Sequence, residues 1–261
     1  MIKRYFAVIR EGVKVSLAAA SAYRVNFLLN TLIMLVSNIL FPLVTIMIYG
    51  AGAGFPGWSF YEVLLIQAVF LLSSGLARLM FSNILWVTMQ HIVEGTFEIV
   101  LIKPLDPLFY LLASSFEIES VSLLLGGAVV FGVAAYNTAA VTLASLMQFL
   151  LLFAAGLFVN LGIALIMTAT SFKWVGNSRI PEIFDSLQTF GKYPQSIFPT
   201  AVRGFASFIM PVAMIGCFPA SALLGRAEPM MFAAILPCIL FLLAGVLLFR
   251  GMIHLYEGVG G

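Results

Sequence analysis

An all-α integral membrane protein is the architecture these 261 residues predict, and three observations carry that expectation. Hydrophobic residues make up 62% of the chain and charged ones 9%, with a mean hydropathy of +1.10. A water-soluble domain carries about 45–50% apolar and about 25% charged residues, so the main solvent of this chain is lipid. Several stretches reach the ~20 apolar helical residues that a hydrocarbon layer of ~30 Å requires. Lys and Arg gather beside some of these stretches and are missing from the connectors Gly50–Trp58 and Asn137–Ala140. A formal net charge of +2 offers no polycationic surface, and no nucleic acid is expected among the partners.

The first element is residues 1–25. Ile2, Phe6, Ile9, Val13 and Leu17 recur every three to four positions, and Lys3, Arg4, Arg10, Glu11 and Lys14 fall largely opposite. That pattern predicts an amphipathic helix lying in the membrane interface, with its cations toward anionic lipid head groups. Five spans follow: Asn26–Tyr49, Ser59–Trp86, Glu119–Tyr136, Val141–Thr170 and Met230–Phe249. The first of them far exceeds the ~7–15 residues of a signal-peptide core, so no cleaved leader is expected. Lys3, Arg4, Arg10, Lys14 and Arg24 precede the first span, Lys103 follows the second and Arg250 the last. The positive-inside bias then places both termini in the cytoplasm and makes the span count even, hence six.

The remaining span lies within Ile180–Gly225, in one of two placements. Hydropathy favours Gly204–Gly225. The other placement takes Ile180–Phe198 as the span and leaves 199–225 as a re-entrant hairpin on the outer face. Glu182, Asp185 and Lys192 oppose the second at about +2.5 to +3.5 kcal/mol each if central, which apolar residues at about −0.5 kcal/mol each do not offset. Inside a bundle such a helix can still face protein, and Pro211 and Pro219 suit a broken element better than a plain span. One membrane domain covers 1–261, with no internal repeat.

Motifs for chemistry fail one by one. Gly52-Ala-Gly-Phe-Pro-Gly57 matches G-x-G-x-x-G, but it joins two helices and lacks the strand before it that a dinucleotide fold requires. No phosphate-binding G-x-x-x-x-G-K-[ST], no H-E-x-x-H and no G-x-S-x-G occurs. Cys217 and Cys238 read as buried free thiols, and two distant histidines, His91 and His254, make no metal cluster. Asn26, Asn30, Asn38, Gln67, Gln148 and Asn160 read as interhelical hydrogen-bonders. Arg78 is the one cation within a span. It either snorkels to the interface or forms an intramembrane ion pair with Glu117. Glu117 and Glu119 are two apart, on opposed sides of a helix, and make no carboxylate pair.

The stretch 84–107 is where polarity returns. Glu94 and Glu98 are four apart, as on one face of a short amphipathic helix, with Phe97, Val100 and Leu101 on another. Lys103-Pro104 ends that helix, because a residue before proline resists the α conformation. Asp106 then caps a new one, with Pro107 at its first position. A rigid double-proline corner of this kind suits the transmission of force into a span better than a loose connector does.

These residues also carry a resemblance. Ile92-Val-Glu-Gly-Thr-Phe-Glu-Ile-Val-Leu-Ile-Lys-Pro-Leu-Asp-Pro-Leu-Phe109 resembles the segment after the second span in ABC-2 type permeases, the six-helix membrane subunits of ATP-binding-cassette exporters. Tyr193-Pro-Gln-Ser-Ile-Phe-Pro199, Arg203, Ile209-Met-Pro-Val-Ala213, Phe218-Pro-Ala220 and Leu223-Leu-Gly-Arg226 resemble the family's second signature. The likeness runs in order along essentially the whole chain. It implies that Ile84–Leu101, within the 84–107 segment, is the coupling helix docking on a cytoplasmic ABC ATPase. Glu94, Gly95, Phe97, Glu98, Lys103, Pro104, Asp106 and Pro107 are then the coupling residues. It favours the re-entrant placement of 199–225, and a second related permease or a second copy of this chain as partner. ATP and Mg are expected on the ATPase, with no cofactor in this chain, in a prokaryotic plasma membrane. Rival classes are an ion-coupled secondary transporter or channel using Arg78 and an intramembrane acid, and a lipid-modifying membrane enzyme, for which no nucleophile stands out.

Overall fold

A computed structural model describes residues 2–138, 141–174 and 179–256, with backbone alone at 2–4 and 38–41. The described residues form helices and connectors, without a strand. The amphipathic α1 (Ile2–Ala22) turns at Tyr23 into α2 (Arg24–Gly50). A turn with Gly52 and Gly57 at positive φ leads to α3 (Phe60–Ala77), so the G-x-G-x-x-G stretch joins two helices. α3 starts at a capping box: the Ser59 hydroxyl accepts from the Glu62 N–H, and the Glu62 carboxylate accepts from the Ser59 N–H. It runs through a π-helical turn, Arg78–Ser82, into α4 (Ile84–Val93). Short α5 (Phe97–Leu101) and α6 (Pro107–Ala113) follow, then α7 (Val121–Tyr136) and the long α8 (Leu143–Ser171). The rest comprises α9 (Arg179–Gln188), α10 (Thr200–Gly204), α11 (Cys217–Leu223), α12 (Pro229–Ala233) and α13 (Ile235–Met252). The α12–α13 break at Ala234 precedes Pro237, whose ring crowds the carbonyl four residues back.

Five stretches are long and apolar enough to cross a membrane: Arg24–Gly50, Phe60–Val93, Ile118–Tyr136, Leu143–Ser171 and Pro229–Leu255. They coincide with the five spans expected from composition, and the chain is a multi-pass membrane protein. Leu28, Leu32, Val36, Val129, Leu240 and Leu247 stand exposed along them, a surface stable only in contact with lipid or other protein.

The segment expected to supply a sixth span is not a single long helix. α9 and the 3₁₀ turn after it have 10 and 4 residues, roughly 21 Å at the helical rise, before Tyr193-Pro194 stops them. Gly204–Gly225 is not a continuous span either, which corrects the hydropathy placement. α10 passes into a π turn, Phe205–Ile209, and the backbone leaves helical values at Met210 (φ −119°, ψ 86°) and Pro211 (φ −73°, ψ 53°). A 3₁₀ turn, Val212–Ile215, and α11 complete the segment. Met210 to Leu223 are buried throughout, packed on α3 and α8. Hydropathy registers burial without saying in what, and here the cover is protein. Irregular backbone within a membrane protein requires such cover.

α8 is the hub, against which α13, α11, α4 and α3 pack. Glycines allow the close approaches. A Cβ at Gly156 would sit 2.4 Å from the Met214 carbonyl oxygen, and one at Gly245 would sit 2.9 Å from that of Gly162. Polar side chains stitch the helices: Gln67 Nε2 donates to Thr45 Oγ1 (2.7 Å), Asn160 Nδ2 to Ser73 Oγ (3.1 Å), and Asn30 Nδ2 to Glu119 Oε2 (3.2 Å). Asn26 and Gln148 make no such bond among the described residues, and the Asn38 side chain lies outside them.

Candidate functional site

The end of the molecule bearing α1, Lys103 and Arg250 is built around the elbow α4–α5–α6. α4 stops because Gly95 takes φ +67°, a left-handed conformation that glycine adopts without steric cost. The Thr96 N–H then donates to the His91 carbonyl (2.9 Å) and the Gly95 N–H to that of Ile92 (3.2 Å), the two bonds of a Schellman C-cap. His91 Nδ1 lies 2.8 Å from Thr96 Oγ1, which ties the turn again. This corrects the single helical face expected for Glu94 and Glu98: the first is the C-cap of α4 and the second opens α5, with a left-handed residue between.

Phe97 is a second correction. It is wholly buried, with its ring 5.2 Å from Phe172 and 4.8 Å from Tyr256, while Phe172 in turn meets Phe249. It therefore anchors the elbow to the ends of α8 and α13 and offers no outer surface. The explanation is local: α5 is one turn long, and Phe97 and Val100, three apart, occupy its inner side. The residues that remain outside are Val93, Glu94, Glu98, Ile99, Leu101 and Ile102. Ile102 is 79% and Val93 67% exposed, a high value for large aliphatic side chains at a rigid turn. Sequence reasoning set Leu101 on the face of Phe97 and Val100 and did not single out Val93, Ile99 or Ile102, because only the helix register separates the inner apolar residues from the outer ones.

The corner itself is held as its residues dictate. Lys103 Nζ lies 3.6 Å from the centroid of the Tyr110 ring, a cation–π contact. Pro104 is exposed beside it. Asp106 caps α6 by accepting from the Phe109 N–H (3.0 Å), and Pro107 occupies the first helical position. Arg250 reaches Asp106 at 3.5 Å; both are largely solvated, so the pair contributes little. α1 lies along α6: Gly12 sits against the Ala113 carbonyl, Ser16 Oγ donates to the Phe116 carbonyl (2.9 Å), and Tyr5 stacks edge-on with Phe109.

A second feature lies deeper. A partly open cavity of about 150 Å³ is lined by Ser74, Arg78, Trp86, Glu117, Asn160 and Asp185, among others. Arg78 begins the π-helical turn, and its neighbour Leu79 accepts from the Glu117 N–H (3.3 Å), which fixes the two segments together. Direct ion pairs include Arg10–Glu11, Lys14–Glu11, Arg226–Glu62 and Arg250–Asp106, whereas Arg78 and Glu117 face this common cavity. Burial pushes the Glu117 carboxyl above its ordinary value, and the Arg78 charge pulls only partly against it. Among the described residues no cluster of His, Cys, Asp or Glu could hold a metal ion, and Cys217 and Cys238 are buried free thiols.

Long lipid-compatible helices around a polar cavity, with a helical elbow hung from one end, define a polytopic helical membrane transport protein. The chain matches the family model described as ABC-2 family transporter protein over residues 14–260, and it belongs to that family. Compared with curated proteins, it matches none.

Proposed function

We propose that this chain is the permease subunit of an ATP-driven exporter, and that α4–α5 is the element through which a separate cytoplasmic ABC ATPase drives it. The exposed tip carries the reading: Val93, Ile99, Leu101 and Ile102 beside Glu94 and Glu98, on a turn pinned from within by Phe97. An apolar patch rimmed by acids is what a groove on a soluble partner can grip. Because Phe97 is packed against the ends of α8 and α13, displacement of the tip moves both helices instead of bending a loop.

In this reading both termini and the elbow face the cytoplasm of a prokaryotic cell, ATP and Mg reside on the ATPase, and cargo leaves outward. The basic α1 lies on the anionic inner leaflet. Residues 199–225 form a re-entrant element from the outer face, and a second permease copy or a related chain completes the assembly. The test is a doubly substituted E94K/E98K chain expressed in place of the natural chain beside an ABC ATPase that co-purifies with the natural chain. We expect loss of ATPase co-purification and at least a tenfold drop in transport-linked ATP turnover, with unfolding temperature little changed. Normal association by that variant rules out the tip as the docking element.

A further inference from the structure

We propose that the cavity between α3, α8 and α9 is a binding site for a zwitterionic headgroup, one that joins an ammonium to a phosphate or carboxylate, carried by an amphipathic cargo. The inference rests on the transport reading above and names the chemistry it acts upon.

Four observations converge. The cavity brings a guanidinium, Arg78, and two carboxylates, Glu117 and Asp185, to one small volume within an otherwise apolar bundle. Lys192 lies within electrostatic range of both Asp185 and Arg78, so two cations and two acids share the region and neither sign dominates. A ligand of one charge would leave the opposite set uncompensated, and a zwitterion satisfies both. Arg78 stands on a π-helical turn inside a continuous helix, an arrangement concentrated at functional sites because it costs backbone hydrogen-bond geometry. Finally, Ser74 Oγ faces this lining buried and with no hydrogen-bond partner, an unmet polar atom awaiting one.

Size sets the limit. About 150 Å³ holds the volume of roughly five waters at ~30 Å³ each. That is room for a small headgroup and not for a whole amphipath, whose chains would pass out beside Trp86, 59% exposed at the rim. The planar guanidinium of Arg78 takes the anionic oxygens in a fork, and the carboxylates of Glu117 and Asp185 receive the ammonium N–H groups.

The probe is dihexanoyl phosphatidylethanolamine, below its micelle concentration, titrated calorimetrically into the purified full chain in neutral detergent. Hexylammonium, hexyl phosphate and hexyl glucoside are the comparison ligands. The expected result is zwitterion binding at least tenfold tighter than any of the three, weakened at least fivefold by Arg78→Gln and by Asp185→Asn and weakened less by Arg78→Lys, which keeps the charge and loses the fork. Asp185 lies on the exposed side of α9, so its variant reports even where Arg78→Gln fails to fold. Equal binding of hexyl glucoside, or unchanged binding by folded Asp185→Asn, overturns the site. The assay needs no ATPase, so zwitterion binding without ATPase association upholds the site and removes the coupling assignment, while the converse removes the site alone.

Discussion

Phe97 illustrates how one side chain can be read correctly for its chemistry and wrongly for its direction. Its position beside Glu98 suggests a surface contact, yet it is the keystone of an aromatic stack with Phe172, Tyr256 and Phe249. Phe97→Ala should cost about 3–5 kcal/mol, the range for emptying a buried aromatic site, measured by denaturant unfolding in detergent. Glu98→Lys on the same turn should change stability by less than about 0.5 kcal/mol, because its side chain is exposed. Glu117 makes a pH-dependent prediction. Its folded proton affinity is raised above the ordinary 4.5, so the folded state holds a proton that the unfolded chain releases. Its contribution to stability is therefore greatest at low pH and falls as pH rises above 4.5 through the folded value. Glu117→Gln removes that fall, and the variant's melting temperature relative to the natural chain should climb across the same window. A constant difference between pH 4 and 8 would contradict the raised affinity.

Helices divide into those that composition identifies and those it does not. α2, α3, α7, α8 and α13 were legible because an unbroken apolar run leaves a chain in lipid no alternative to satisfying its own backbone. The segment 199–225 was not, since hydropathy counts Val212 to Ile215 the same whether lipid or protein covers them. Pro211 and Pro219 were the available signal: Pro211 lies where the backbone leaves helical values, and Pro219 sits in the first turn of α11. The packing that covers this segment depends on Gly156. Gly156→Val should lose about 1–3 kcal/mol by overpacking, since any Cβ there meets the Met214 carbonyl at 2.4 Å. Gly132, which has no neighbour within 4 Å of a built Cβ, should accept alanine with no loss. Similar melting temperatures for the two variants would show that α8 and the 212–215 turn do not touch as described.

For the assembled molecule the testable quantity is which end faces which side of the membrane. Both natural cysteines are buried, Cys217 2% and Cys238 0% exposed, so an introduced thiol can be labelled without background. A membrane-impermeant maleimide should label Ala51→Cys in intact cells, and Glu98→Cys only after lysis. Ala51 and Glu98 are both exposed, so access to each depends on the side alone. The opposite pattern removes the elbow from the reach of any cytoplasmic ATPase. At the Gly52 end, Arg226 ties the 199–225 segment to the start of α3 through Glu62 and the Gly57 carbonyl, and Trp58 donates to Ser196 (3.1 Å). Cargo leaving that way has to part these contacts.

The sequence was enough to establish a helical membrane protein, its five long apolar stretches, the cap at Asp106 and the proline corner. Each of these depends on a residue and its near neighbours in the chain. Three matters needed the folded molecule: that Phe97 turns inward while Ile102 turns out, that 204–225 is core and not a lipid-facing span, and that Arg78, Glu117 and Asp185 share one cavity. They depend on contacts between segments as far apart in the chain as Phe97 and Tyr256, and an apolar or charged side chain carries no mark of which distant helix will cover it.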